Sequence, residues 1–249
     1  MMNMNRFVLN TLLLQHDHNI GQTQLQLVQS LRQLGVSNIE LRREYNQEKM
    51  SELMQLGRLR LNYRLTYFYS IPDNLFINGK INERILLYLS EAQLMGSSYL
   101  KMTLGDFHKD NDGELAILNS ILPKTIELNI ENDQTAENSD PDKLATFFTT
   151  AKRHGLEIGF VNDLGNWIYT NHDTKKVTEQ LLDFTKYIHL KSYVLNEKGE
   201  PETVPFSKGL LDWQSLIAKF DKQIPIGLEY PTDLAGLEAD LEVVGNSHF

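Results

Sequence analysis

Four side chains of this sequence have the most chemistry to offer: Glu131, Asp163, His189 and Glu229. Each ends or interrupts a short apolar run, as in Ile130-Glu131, Val161-Asn162-Asp163, Ile188-His189-Leu190 and Leu228-Glu229. Together they supply three carboxylate oxygens and one imidazole nitrogen, which suits a divalent Mn²⁺, Mg²⁺, Co²⁺ or Zn²⁺ with positions left open for substrate oxygens. Taken singly, a glutamate at such a place is an ordinary ion-paired residue. Carboxylates that converge without a cation repel one another, so a metal is the economical way to hold them together. Glu40, Arg42, Lys101 and Lys191 occupy comparable places. Arg42 and Lys191 either neutralise a substrate anion or pair with Glu40 and Glu229, whereas Lys101 reads as structural.

These residues converge only if their runs are strands of one sheet. Runs at residues 6–12, 38–42, 64–70, 98–104, 125–131, 157–162, 187–193 and 225–230 are apolar or β-branched, and between them apolar residues recur at helical spacing, as at 23–34, 81–94, 142–154 and 174–184. A strand followed by a helix roughly every 30 residues is the length of one βα unit. The pattern predicts an α/β chain forming a single domain over residues 1–249, a closed (β/α)8 TIM barrel of about the usual length for that fold. In such a barrel the polar residues at the carboxyl ends of the strands point into the mouth, which is what singles out the eight residues above. Gly35 and Gly155 close two helices, and Ser139-Asp140-Pro141-Asp142 opens one with cap and first-turn chemistry. The segment 195–211, rich in Glu, Lys, Pro and Gly, is expected to be a long loop over the mouth.

Composition narrows the function. The 249 residues include no Cys, which excludes disulfides, zinc-thiolate sites, iron–sulfur clusters and a cysteine nucleophile, and a cytoplasmic home is the expectation. A formal charge of −9 repels a phosphate backbone and argues against nucleic acid as a partner. The apolar stretch within residues 1–14 is interrupted by Asn10 and Thr11 and reads as a first strand, not a signal peptide. No run nears the roughly 18 apolar residues that span a bilayer, so no membrane association is expected.

The remaining chemistry-bearing residues get weaker readings. His16-Asp17-His18 reads as two exposed loop histidines, and His108, His154, His172 and His248 carry no assigned role. Tyr63, Tyr67, Phe68 and Tyr69 read mostly as core, with Tyr69 or Phe76 as the candidates to touch substrate. Of the two tryptophans, Trp167, next to Asn166, is the better pocket candidate than Trp213.

The order of these motifs resembles a family. Ile39-Glu40-Leu41-Arg42, Ile130-Glu131-Asn132, Phe160-Val161-Asn162-Asp163-Leu164-Gly165-Asn166, Ile188-His189-Leu190-Lys191, Lys208-Gly209-Leu210-Leu211-Asp212-Trp213 and Ile226-Gly227-Leu228-Glu229-Tyr230-Pro231 are similar to successive stretches of the xylose isomerase-like TIM barrels. That superfamily holds sugar isomerases and epimerases, inosose dehydratases and apurinic endonucleases. The resemblance implies that Glu131, Asp163, His189 and Glu229 are metal ligands and that Glu131 and Glu229 flank the substrate as a proton-transfer pair. It implies proton transfer next to the carbonyl of a small sugar or keto acid through a metal-bound enediolate, with Glu40, Arg42, Lys191, Asn166 and Trp167 binding substrate. A dehydratase on the same site, or a catalytically silent sugar-binding barrel, is the alternative. A homodimer is allowed by the resemblance and required by no sequence feature. Two departures stand out: Asn166 occupies a place where many members carry His, and Ser192 follows Lys191 where an Asp is often found. The third and fourth strands end in Tyr69-Ser70 and Leu104-Gly105, without the extra histidines of the endonuclease branch.

Overall fold

A computed structural model describes residues 6–47 and 49–245. His248, and the first five residues of the stretch read as a strand rather than a leader, lie outside the described residues. Eight parallel strands form the wall: β1 (Phe7–Asn10), β2 (Asn38–Arg42), β3 (Thr66–Ile77), β5 (Tyr99–Gly105), β6 (Glu127–Glu131), β7 (Gly159–Asp163), β8 (Thr185–Leu190) and β11 (Ile226–Leu228). Their order is β2-β1-β11-β8-β7-β6-β5-β3, and pairing of β3 back onto β2 closes the sheet into a barrel. Three short strands lie outside the wall: β4 (Lys80–Ile81), antiparallel to the end of β3, and the hairpin of β9 (Ser192–Leu195) with β10 (Pro201–Val204).

Every wall strand is followed by helix: α1 (Gln15–Asn19) and α2 (Gln24–Leu31), α3 (Met50–Tyr63), α4 (Ile85–Met95), α5 (Asp112–Ile121), α6 (Pro141–Arg153), α7 (Thr174–Gln180), α8 (Trp213–Ile217) and α9 (Leu234–Gly245). Local chemistry sets several of their ends. Thr23 closes a capping box with Gln26, and Asp140 accepts from the amides of Asp142 and Lys143 with Pro141 in the first turn. Gly35 and Gly155 adopt positive φ, as helix-ending glycines do.

Alternation along each strand sorts the side chains into two cores. Phe7, Leu9, Ile39, Leu41, Leu100, Met102, Leu128, Ile130, Ile188 and Leu190 face the helices in one large apolar cluster. The intervening positions face the barrel axis. At the lower end Val8, Phe68, Val161 and Tyr187 form a second apolar cluster, with Tyr99 stacked on Phe68 at 4.1 Å between ring centroids. Two residues further along the same inward rows come Asn10, Ser70, Lys101, Asp163 and His189. The strand period thus lays a charged layer directly on an apolar plug.

Several expected boundaries move. The third strand starts at Thr66 rather than residue 64, because Arg64 caps α3 in the left-handed region at φ 54°. It also runs on past residue 70, through an irregularity between Ser70 and Asn74, to meet β4. The fourth helix begins at Ile85, after that hairpin, rather than near residue 81. The segment expected to be a loop over the mouth holds β10, which pairs back onto β9 and whose Thr203 hydroxyl meets Tyr169 at 2.8 Å, and none of residues 195–211 lines the mouth cavity.

Candidate active site

The register brings the strand ends level. Asp163 lies beside His189 and Gly227 lies beside His189 on the other side, while Glu131 on β6 neighbours Thr103 on β5. Gly227 is required by crowding: a Cβ there would run into the Tyr187 hydroxyl and lie 2.8 Å from His189 Cδ2. One donor atom from each of Glu131, Asp163, His189 and Glu229 falls within 4.8 Å of the others, and all four residues are buried. The four residues singled out for metal chemistry are brought together.

His189 is held from both ring nitrogens. Nε2 faces Glu40 Oε2 at 2.8 Å, away from the mouth, and Nδ1 faces Glu131 Oε1 at 2.6 Å and Glu229 Oε2 at 3.2 Å. Glu40 also accepts from the Tyr187 hydroxyl at 2.5 Å. Glu229 is the most tethered carboxylate: Asn10 Nδ2 and Arg42 Nη1 each reach its Oε1 at 3.1 Å, and Lys191 Nζ reaches Oε2 at 3.3 Å. Lys191 also stands 2.7 Å from Asp163 Oδ2, while Asp163 Oδ1 accepts from the amides of Gly165 and Asn166. Lys101 inserts among the acids, 2.6 Å from Glu131 Oε2 and 3.3 Å from Glu40 Oε1.

This crowding fixes the charge states. Burial opposes ionisation of Glu40, yet His189 and Lys101 hold it down at about 2. Burial likewise opposes ionisation of Glu229, but Lys101, His189 and Lys191 keep it well below the usual carboxylate range. Asp163 is pushed up to about 6 by burial, against the pull of Lys191. Burial disfavours the imidazolium of His189, and Glu40 and Glu229 outweigh it and raise the group well above its ordinary value. Both lysines stay charged because their carboxylate neighbours overcome the cost of burial.

The donor set fits a divalent cation. Asp163 Oδ2 and Glu131 Oε1 are buried and receive no hydrogen bond in good geometry; each faces a charged neighbour at short range, so lone pairs remain for a metal. With the imidazole neutral, as a metal ligand requires, the carboxylates Glu40, Glu131, Asp163 and Glu229 face three cations, Lys101, Lys191 and Arg42, leaving one net negative charge. Glu40 holding Nε2 leaves Nδ1 as the nitrogen turned towards the other three ligands.

A cavity of about 710 Å³ opens above the cluster, and Arg42, Lys101, Glu131, Asn166, Lys191 and Glu229 are among its lining residues. Two residues expected to bind substrate lie elsewhere. Glu40 is fully buried beneath His189 and does not line the cavity. Trp167 is fully buried too, because the short 3-10 turn it opens directs the indole into the core, where Nε1 donates to Asn162 Oδ1 at 2.9 Å. Asn166 does face the cavity: its Nδ2 donates to the Asn132 carbonyl, and its buried Oδ1 has no partner. Tyr69 and Phe76 are core residues, Tyr69 donating to Glu91 Oε2 at 2.7 Å. His18 stacks on Tyr45, and Ser192 Oγ accepts from the Leu211 amide.

Sequence reasoning missed Asn10, Tyr187 and the central place of Lys101. The signal was present in the alternation Val8-x-Asn10, Tyr99-x-Lys101 and Tyr187-x-His189, which puts each on an inward row.

No family model matches this chain, and no curated protein matches it. Solved structures do. A probable 3-DHS dehydratase, AsbF, from Bacillus anthracis superposes with a TM-score of 0.70 at 14% identity, over 98% of this chain and 100% of that one. An AP endonuclease, family 2, from Brucella melitensis gives 0.67 at 13% identity over 98% and 100%. A D-psicose 3-epimerase from Clostridium cellulolyticum H10, solved with D-tagatose, gives 0.66 at 8% identity over 97% of each chain. At these identities the likeness is one of fold, and the fold of this chain is a closed (β/α)8 barrel like theirs.

Proposed function

We propose that this protein is a divalent metal-dependent enzyme that moves a proton next to the carbonyl of a small sugar, as an isomerase or epimerase. The observation that carries the reading is the convergence of one donor atom from each of Glu131, Asp163, His189 and Glu229 within 4.8 Å, with Glu131 and Glu229 lining the mouth cavity and Asp163 and His189 fully buried behind them. A divalent ion held there would polarise a substrate carbonyl and the hydroxyl beside it, which acidifies the intervening C–H.

The chain's own residues divide the remaining work. Glu131 has two charged neighbours, Lys101 and His189, whereas Glu229 is tied by Asn10, Arg42, Lys191 and His189. The less tethered Glu131 is the base that takes the proton, and Glu229 is the fixed partner across the cluster. Delivery of a proton to the other face inverts the carbon; Glu229 is held ionised, so that proton is drawn through it from the Lys191 ammonium at 3.3 Å while Glu131 keeps the one it took. Return by Glu131 to the adjacent carbon moves the carbonyl instead. Arg42 and Lys191 are engaged by carboxylates at 3.3 Å or less, so neither offers an unpaired cation to a phosphate or carboxylate. Asn166 Oδ1, an acceptor without a donor, suits a substrate hydroxyl. These two features favour a sugar over a keto acid.

A dehydratase reading shares the first proton transfer and then loses a hydroxyl. Lys191 Nζ, 3.3 Å from Glu229, is the group placed to give that hydroxyl its proton.

The test begins with metal. After Mn²⁺ loading and desalting, elemental mass spectrometry should find about one metal per chain, lost in His189→Ala. Ketoses and keto acids are then incubated with the loaded protein in deuterated water. Isomerisation or epimerisation gives a product of unchanged skeleton carrying deuterium, and dehydration gives a product lighter by one water. No metal in either protein, with the fold intact by circular dichroism, would remove the proposed mechanism.

A further inference from the structure

Lys101 is an ammonium that reaches three carboxylates, Glu131 Oε2 at 2.6 Å, Glu40 Oε1 at 3.3 Å and Glu229 Oε1 at 3.6 Å, the same three that the His189 ring faces. The lysine is 6% exposed and sits on an inward row of β5, above Tyr99. Two of its partners, Glu131 and Glu229, also belong to the four-donor cluster. An ammonium and a divalent ion compete in such a place, because both draw on the same carboxylate oxygens and they repel each other at short range.

We propose that Lys101 is a resident counter-cation of the site: it holds Glu40, Glu131 and Glu229 together when no metal is bound, and it competes with the divalent ion for Glu131 and Glu229. The inference rests on the metal reading above. Removing one partner from a set of buried charges leaves the others uncompensated, which is why the metal-free barrel depends on this lysine. With the lysine gone and the imidazole neutral, the cluster's net negative charge rises from one to two, and the attraction for a divalent ion rises with it. Lys191 does not replace it, since that ammonium is spent on Asp163 at 2.7 Å and Glu229 at 3.3 Å.

The experiment uses the full chain and Mn²⁺ alone, following free Mn²⁺ by electron paramagnetic resonance and unfolding by circular dichroism. Lys101→Met should bind Mn²⁺ at least about tenfold more tightly than the unsubstituted protein, melt lower without metal, and gain more in melting temperature when Mn²⁺ is added. Lys101→Arg, which keeps the charge, should bind as the unsubstituted protein does. Tight binding by Lys101→Met where the unsubstituted protein binds none supports the competition by Lys101 and removes the metal-dependent mechanism from the unsubstituted protein. If the protein binds Mn²⁺ and a folded Lys101→Met binds it equally or more weakly, the counter-cation role is overturned and the metal reading stands. If Lys101→Met is unfolded without metal, saturating Mn²⁺ should restore its fold; failure to do so overturns the role. Absence of binding by both overturns the metal reading and this inference with it.

Discussion

Glu40 Oε2 lies 2.8 Å from His189 Nε2, on the side of the ring that faces away from the mouth. The carboxylate therefore decides which nitrogen is left for a metal, and Glu40 acts on the site from beneath without touching substrate. Glu40→Gln should weaken Mn²⁺ binding about 10–100-fold, the usual cost of losing such an orienting partner. Isothermal titration of Mn²⁺ into folded protein checks this, and unchanged affinity would show that the ring is oriented by its packing alone.

Gly227→Ala should damage the site from the back. The added methyl meets the Tyr187 hydroxyl and the His189 ring, so both must shift. A loss of about 1–3 kcal/mol is expected from overpacking, together with weaker metal binding. Urea unfolding and Mn²⁺ titration on the same preparation separate the two effects.

Trp167→Phe should cost stability and leave chemistry alone. The indole N–H donates to Asn162 Oδ1 inside the core, and its loss strands a buried acceptor at about 1–3 kcal/mol. Turnover per folded molecule, once a substrate is in hand, should not change. A selective rise in KM would return Trp167 to the substrate pocket.

Stability should fall on the alkaline side. Burial raises the phenols of Tyr67, Tyr69 and Tyr230, with Glu91 and Asp240 adding to the effect at the latter two. The folded chain keeps these protons while the unfolded chain gives them up near pH 10. Above that pH the unfolded state binds fewer protons than the folded one, so stability drops as pH rises; below it these groups contribute no slope. Urea midpoints from about pH 8 to 11 test the trend, and Tyr69→Phe should make the alkaline fall shallower.

How much of this was legible beforehand depends on the range of the interaction. The strand period marks Glu131, Asp163, His189 and Glu229 as strand-end residues, and closure of the barrel does the rest. Helix ends at Gly35, Asp140 and Gly155 are local chemistry and were equally readable. Lys101 was read as structural because its meaning lies in neighbours on other strands: Glu131 on β6, Glu40 on β2 and Glu229 just past β11. Trp167 was misplaced because a 3-10 turn after Asn166 reverses the direction that a strand-end motif suggests. Strand β10 was read as loop because Pro201-Glu202-Thr203-Val204 is short and polar-rich, and its pairing onto β9, Thr203 with Tyr193 and Glu202 with Val194, lies outside the segment itself.

The stack of Phe68, Tyr99 and Tyr187 below the charged layer has a consequence for traffic. The barrel is a vessel with a stopper in its base, so whatever enters by the top must leave by the top. For the proposed reaction, product on its way out would occupy the doorway that fresh substrate needs. The expected kinetic signature is strictly competitive inhibition by product, with intercepts that do not move as product is added.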